Sequence, residues 1–260
     1  MKKRIVVCSD LHCGHRAGLT PPAWHTDAER GRGWDVAARL QRETWAWYDK
    51  TCRELKPDIA IWNGDMCDGK GERSGSTEQI TTDRGEQVEM AAICIQRMRA
   101  KKNLITYGTP YHGGVNEDWE DQLLLHDIEN PAVGGWLWPE INGVTFDVRH
   151  HSGGSTIPHG RATAILREEL WNLIWSDREE QPKADIFIRS HCHFFMMVDD
   201  GRCMAFRTPA LQAAFTKYGR RCSGTVDFGL LVLDITDKGE VTWQRRLLRP
   251  AAAKAHKLMC

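Results

Sequence analysis

The chain has 260 residues, with 35 Lys plus Arg against 35 Asp plus Glu and a formal net charge of zero. That length suits one mixed α/β domain over residues 1–260 with a sizeable core. Zero net charge supplies no global field to draw nucleic acid or an anionic membrane surface, and no apolar run approaches the ~20 residues of a membrane helix.

In chain order, "KRIVVCS" (3–9) is β-rich and ends in a polar turn, which predicts a first central strand. The basic, briefly apolar start lacks a signal-length core, so a strand explains it better and a cytoplasmic protein is expected. Residues 14–34 mix Gly, Pro and charge and read as a long loop, a feature that compact domains keep for function. Apolar residues recur at helical spacing over 36–55 until Pro57. "DIAIWNG" (58–64) predicts a second strand, followed by the glycine-rich loop "DGKGERSGST". A second amphipathic helix spans 82–102, with basic residues in its last turn, where the helix dipole favours them. "NLITYG" (103–108) is a third strand. This alternation of strand and helix implies parallel strands with crossover helices.

Further on, 116–128 looks helical, 143–150 alternates like a strand, 161–177 is a helix and "DIFIRS" (185–190) a strand. Two hairpins follow, one turning near Asp200-Gly201 and one near Lys238-Gly239. The C-terminal third is therefore expected to be antiparallel. Nine cysteines contain no Cys-x-x-Cys pair. Reduced, mostly buried thiols are expected rather than a disulfide framework or a zinc knuckle.

Costly polar residues collect where strands end. The first strand runs into "SDLHCGH" with Asp10 and His12, and the second into "WNGDMCDG" with Asp65 and Asp68. "GTPYHGG" after the third strand carries His112, the 143–150 strand ends in His150 and His151, and "SHCH" supplies His191 and His193. A carboxylate at the end of a buried strand needs a cation, a hydrogen-bond network or solvent. Ligands of open α/β sheets bind outside the carboxyl ends of the strands. Asp and His gathered on one rim fit first-row divalent ions such as Mn, Fe, Ni, Co or Zn. Asp10 with His12, and His191 with His193, are each two apart. In extended segments the members of each pair point the same way, and Cys192 points away from its neighbours.

At these residues the sequence resembles the calcineurin-like metallophosphoesterases. That family's blocks are Asp-x-His, Gly-Asp-x-x-Asp, Gly-Asn-His-Asp/Glu, a lone His, and Gly-His-x-His. The resemblance runs from residue 10 to residue 193. It implies a central β-sandwich flanked by helices, four layers in the order αββα, with a two-metal centre at one edge. Carried over, Asp10, His12 and His193 would bind one ion and Asp65 would bridge. His191 and one of His150 or His151 would bind the other ion. Two departures stand out. Thr109 occupies the Asn position of the third block, with His112 three residues later, so His112 is a candidate for ligand or proton donor, and Asn116 is a further ligand candidate. Ser190 replaces a Gly.

The implied chemistry is attack by a metal-activated hydroxide on a phosphomonoester or phosphodiester, with His112 or His151 protonating the leaving oxygen. Candidate substrate contacts are His15, Arg16 and His25 in the first loop, Lys70 and Arg73 in the second, and Lys217, Tyr218, Arg220 and Arg221 in the basic, aromatic stretch "FTKYGRRCSG", whose pattern also suits single-stranded nucleic acid. Trp171 and Trp175 read as helix packing. The expected partner is a small phosphate ester, with a nuclease of the same chemistry or a non-catalytic scaffold as the competing readings.

Overall fold

The computed structural model describes residues 1–31, 33–114, 117–155, 157–214, 216 and 224–254. The apolar alternation of the first strand, β1 (Lys3–Cys8), divides its side chains between two cores. Ile5 and Val7 face one cluster, while Val6 and Cys8 face another. The same division runs through β2 (Ile59–Asn63) and β3 (Lys102–Thr106), so both faces of this sheet are covered. Between these strands lie α1 (Trp34–Leu55) and α2 (Arg84–Met98), both packed on the outer face. The α2 helix starts at Asp83, whose side chain accepts the Glu86 N–H at 3.0 Å and satisfies an end-of-helix donor. A four-residue helix, α3 (Pro110–Gly113), follows β3 and begins on a proline pre-set for helical φ.

Two sheets result. With β4 (Pro131–Gly134), β10 (Phe228–Ile235) and β11 (Val241–Leu248), the first has the order β11-β10-β1-β2-β3-β4. Its β1 to β4 members are parallel, and β10 joins β1 antiparallel. The second sheet has the order β5-β6-β7-β9-β8. It comprises β5 (Glu140–Ile141), β6 (Val144–Val148), β7 (Ile186–Arg189), β8 (Met196–Asp199) and β9 (Met204–Arg207). Ile5, Val7, Ile61, Leu231 and Leu233 of the first sheet meet Phe146, Val148, Ile186, Ile188 and Phe206 of the second in one buried cluster. A single helix, α4 (Thr163–Asp177), covers the far face of the second sheet through Ile165. Helix, sheet, sheet, helix is the four-layer order the sequence resemblance implies.

Several expectations need correction. The C-terminal third is not wholly antiparallel. The hairpin of β8 and β9 forms around Asp200-Gly201, but β9 then lies parallel to β7. The reason is that β9 fills the slot beside the strand ending in Arg189, where both its faces find a core. Residues 119–125 form a 3₁₀ rather than an α-helix, and Trp34 opens α1 instead of lying in a loop. The long loop after β1 is buried in its first part, while most of residues 22–31 are exposed or half-buried. Every residue from 5 to 21 is buried, because Arg16 pairs with Glu78 at 2.6 Å and Gln41 of α1 donates to the Arg16 carbonyl at 3.1 Å. Among the described residues, no helix is long and apolar enough to cross a membrane.

Candidate metal centre

The carboxyl ends of β1, β2, β6 and β7 meet on one rim, with the loop after β3 closing it. Backbone turns aim the side chains there. Asp10, His12, Asp65, His191 and His193 have φ of 51°, 47°, 52°, 70° and 55°. Each left-handed non-glycine residue costs on the order of 1–3 kcal/mol and persists where the surroundings over-determine it. The extended geometry expected for Asp10-x-His12 and His191-x-His193 is therefore replaced by tight turns. The cause is visible in the backbone, where the loop after β1 hydrogen-bonds along the loop after β2. Asp10 N–H donates to Gly64 O at 3.0 Å, His12 N–H to Asp65 O at 3.0 Å and Cys13 N–H to Met66 O at 2.9 Å.

The side chains converge. Three trios have ligand atoms within 4.8 Å of one another: Asp10, His12 and His193; Asp65, His150 and His191; and His12, Asp65 and His112. Asp65 and His12 each belong to two. His12 Nε2 lies 3.2 Å from His193 Nε2, and His193 Nε2 lies 3.2 Å from Asp10 Oδ1. His150 Nε2 lies 3.0 Å from Asp65 Oδ2 and 3.8 Å from Asp10 Oδ1. Asp10 and Asp65 are fully buried, and Asp10 Oδ1 and His150 Nε2 have no hydrogen-bond partner. Buried polar atoms left unpaired at the same point are what a missing cation would produce.

Surrounding groups fix each ligand. His150 donates its Nδ1–H to Asn63 O at 2.6 Å, which leaves Nε2 as the nitrogen turned toward Asp65 and Asp10. His12 donates Nδ1–H to Asp68 Oδ1 at 2.8 Å, and Gln79 donates to the other Asp68 oxygen at 2.6 Å. Thr109 donates both its backbone N–H, at 2.6 Å, and its hydroxyl, at 3.1 Å, to Asp65 Oδ1. Oδ2 of Asp65 is thereby the oxygen turned toward the histidines. His112 donates Nδ1–H to Asp68 O at 2.8 Å. Backbone space is equally committed: a Cβ on Gly64, at φ +76°, would land on the His150 ring, and one on Gly108 would land on Asp65.

The electrostatics follow from burial and charge. Burial alone would raise the Asp10 carboxyl, but His193 and His150 outweigh it and lower it to about 2. Asp65 is held well below the usual carboxylate range, against its burial, chiefly by His150. Burial, with His112 adding to it, pushes His12 down to about 4. Burial would also lower His150, yet Asp65 and Asp10 raise it to about 10. His151 is lowered by burial and by His191. Behind the rim, burial pushes the Glu120 carboxyl up to about 7, and its Oε1 accepts the Gly108 N–H at 3.1 Å.

The structure brings together Asp10, His12, Asp65, His112, His150, His191 and His193. Of the two adjacent histidines, His150 is buried at 2 % exposure and aimed inward, whereas His151 is exposed with its ring centroid 4.8 Å from that of His191. Cys192 is outside every trio, its Sγ turned to Ser152 O at 4.0 Å. His15 is buried, accepts the Ala17 N–H at Nδ1 and lies 3.7 Å from Glu78. Lys70 is exposed. Arg73 lies over the Tyr111 ring at 4.5 Å, and Tyr111 in turn meets the His112 ring edge-on at 4.8 Å. Asn116, Lys217, Tyr218, Arg220 and Arg221 lie outside the described residues.

Sequence reasoning missed the support beneath the rim. Asn63 donates to Ser190 Oγ at 2.6 Å and accepts from Thr106 at 2.7 Å, joining the ends of β2, β3 and β7. Ser190 and Ser9 both meet the Thr208 hydroxyl. Arg189, fully buried, pairs with Asp147 at 2.7 Å. The available signal was a polar residue one or two places before the strand-end Asp or His, as in "WNGD" and "IRSH".

No family model matches the chain, and no curated protein matches it. Similar solved structures include wild-type Vps29 complexed with zinc from Entamoeba histolytica, at 15% identity over 94% of this chain and 98% of that one, with a TM-score of 0.43. Vacuolar protein sorting 29 from Cryptosporidium parvum is 10% identical over 95% and 98%, with a TM-score of 0.47. A novel archaeal phosphodiesterase is 12% identical over 94% and 99%, with a TM-score of 0.44.

Proposed function

We propose that this chain, which resembles the calcineurin-like metallophosphoesterases in fold and in its strand-end ligand residues, hydrolyses phosphoesters at a dinuclear metal centre. The convergence of two buried carboxylates and five imidazoles, with Asp10 Oδ1 and His150 Nε2 without a hydrogen-bond partner, supports the reading. Asp10, His12 and His193 would hold one ion, His150 and His191 the second, and Asp65 both. Carboxylate with imidazole suits Mn, Fe, Ni, Co or Zn. Such ions, when bound, polarise a phosphoryl oxygen and lower the pKa of a bound water toward ~7.

The chain's own residues supply position and protons. Thr109 fixes the rotamer of Asp65 so that one oxygen faces the histidines. Asn63 fixes the tautomer of His150. His112, held through Nδ1 by the Asp68 carbonyl, is assigned as donor to the leaving oxygen. His151, exposed beside His191, is assigned as a hydrogen-bond partner for substrate. Arg73, over the ring of Tyr111, is assigned to a phosphate oxygen.

The test combines metal analysis of protein purified without chelator with a panel of phosphomonoesters, phosphodiesters, and single- and double-stranded DNA. Two equivalents of metal with ester hydrolysis are expected. Turnover confined to DNA would move the reading to a nuclease. Absence of both metal and turnover would leave a scaffold.

A further inference from the structure

The two helical layers differ in what they show to solvent. Among the described residues, α1 and α2 expose no large apolar side chain, whereas α4 exposes Leu166 (39%), Leu170 (57%), Trp171 (45%) and Ile174 (40%). Leu166, Leu170 and Ile174 are four apart, so they form one stripe along the helix. The stripe continues sideways, because Trp171 stacks on Trp175, Trp175 meets Trp136 edge-on, and Trp136 stacks on Trp138. A cavity of about 200 Å³ opens beside Leu166, Leu170 and Leu173. Contiguous apolar surface of this kind marks an interaction site.

The charges along α4 indicate the occupant. The helix has no acidic residue in its first turn and no basic residue in its last. Arg167 lies in the second turn, Arg161 stands two residues before the helix with its guanidinium over the Phe194 ring at 4.5 Å, and Asp177, Glu179 and Glu180 lie at the C-terminal end. Each end thus carries the sign its own dipole disfavours. Arg178 offsets Glu180 at 2.7 Å, which leaves Asp177 and Glu179 unbalanced. The central acids are engaged inward, Glu168 with Arg149 and Arg189 and Glu169 with Arg202. An antiparallel copy of the same helix would set basic ends against acidic ends twice and relieve both dipole conflicts. Self-complementarity about a two-fold axis is the requirement of an isologous contact, and a chain of zero net charge does not repel its copy.

We propose that α4 is a homodimer interface, packed antiparallel on α4 of a second copy about an axis between Leu170 and Ile174, which sets Arg167 opposite Asp177 of the second copy. Sedimentation equilibrium over a range up to about 100 µM tests it, since a self-association is concentration-dependent. The expected mass is twice that of the monomer. Leu170→Glu with Ile174→Glu is expected to give a monomer with an unchanged far-UV spectrum, because both side chains are exposed in the single chain. Arg167→Glu is expected to weaken dimerisation by about tenfold at low salt, and adding Asp177→Arg to restore it. Wild-type protein that stays monomeric overturns the proposal and leaves the stripe to a different protein or a lipid surface. A dimer that survives the double Glu substitution, or a charge reversal without rescue, overturns it as well.

Discussion

Metal binding at the second position should expel a proton from His150. In the metal-free protein its Nε2 sits 3.0 Å from Asp65 Oδ2, and the imidazole is raised to about 10 by Asp65 and Asp10 against the effect of burial. At pH 7.5 it is therefore cationic, and a metal needs the lone pair that the proton occupies. Each pH unit below about 10 should cost tenfold in affinity there, about 1.4 kcal/mol. His12, pushed down to about 4, is already neutral and releases nothing. Calorimetric titration with Mn²⁺ at pH 7.5, in buffers of different ionisation enthalpy, reads the number of protons released. His150→Gln should lower that number by about one. Equal counts for the wild type and the variant would refute the assignment. The same shift fixes a stability window for the metal-free protein. The folded value is raised, so the contribution is complete below about 6.5 and is lost as pH rises through about 10, with an upper bound of ~5 kcal/mol. Asp10 works in the opposite sense: its contribution is present above 3.8 and lost as pH falls through about 2.

Asp147→Ala should take the nearer carboxylate from the fully buried Arg189 guanidinium and leave Glu168, at 3.4 Å, as its remaining charge partner. Breaking such a pair costs roughly 3–5 kcal/mol, or a fall in Tm of about 6–15 °C by calorimetry, and a change within a degree or two would refute it. His112→Ala should lower kcat by roughly 10²–10⁴ on alkyl phosphoesters and far less on nitrophenyl esters, which leave without a proton. Equal losses on both, with less bound metal, would make His112 a ligand instead. Gly64→Ala places a methyl on the His150 ring; metal analysis should find the ion at Asp10, His12 and His193 retained and the second lost.

Much of the candidate site could be read from the chain because its Asp and His residues follow directly on apolar strands, where a buried polar group is costly without a partner. The strand boundaries and the ligand set came from apolar runs that end in Asp or His. The turn geometry was hidden. Spacing of two between Asp10 and His12 suggested an extended segment, but hydrogen bonding to the loop after β2 puts both residues in left-handed turns. Adjacent His150 and His151 are identical in a sequence, and only the Asn63 carbonyl and burial separate them. The strands β4 and β5, four and two residues long, carry too little pattern to detect. The slot taken by β9 depends on contacts far along the chain, which local periodicity does not encode. The long first loop was read from its Gly and Pro content, and its burial depends on distant partners, Glu78 and Gln41.

Anomalous scattering from crystals soaked in Mn²⁺ tests the dinuclear centre most directly. Two peaks about 3.5–4 Å apart are expected, one among Asp10, His12 and His193, the other between His150 and His191, with Asp65 touching both. A single peak elsewhere, or none at saturating metal, would contradict the account.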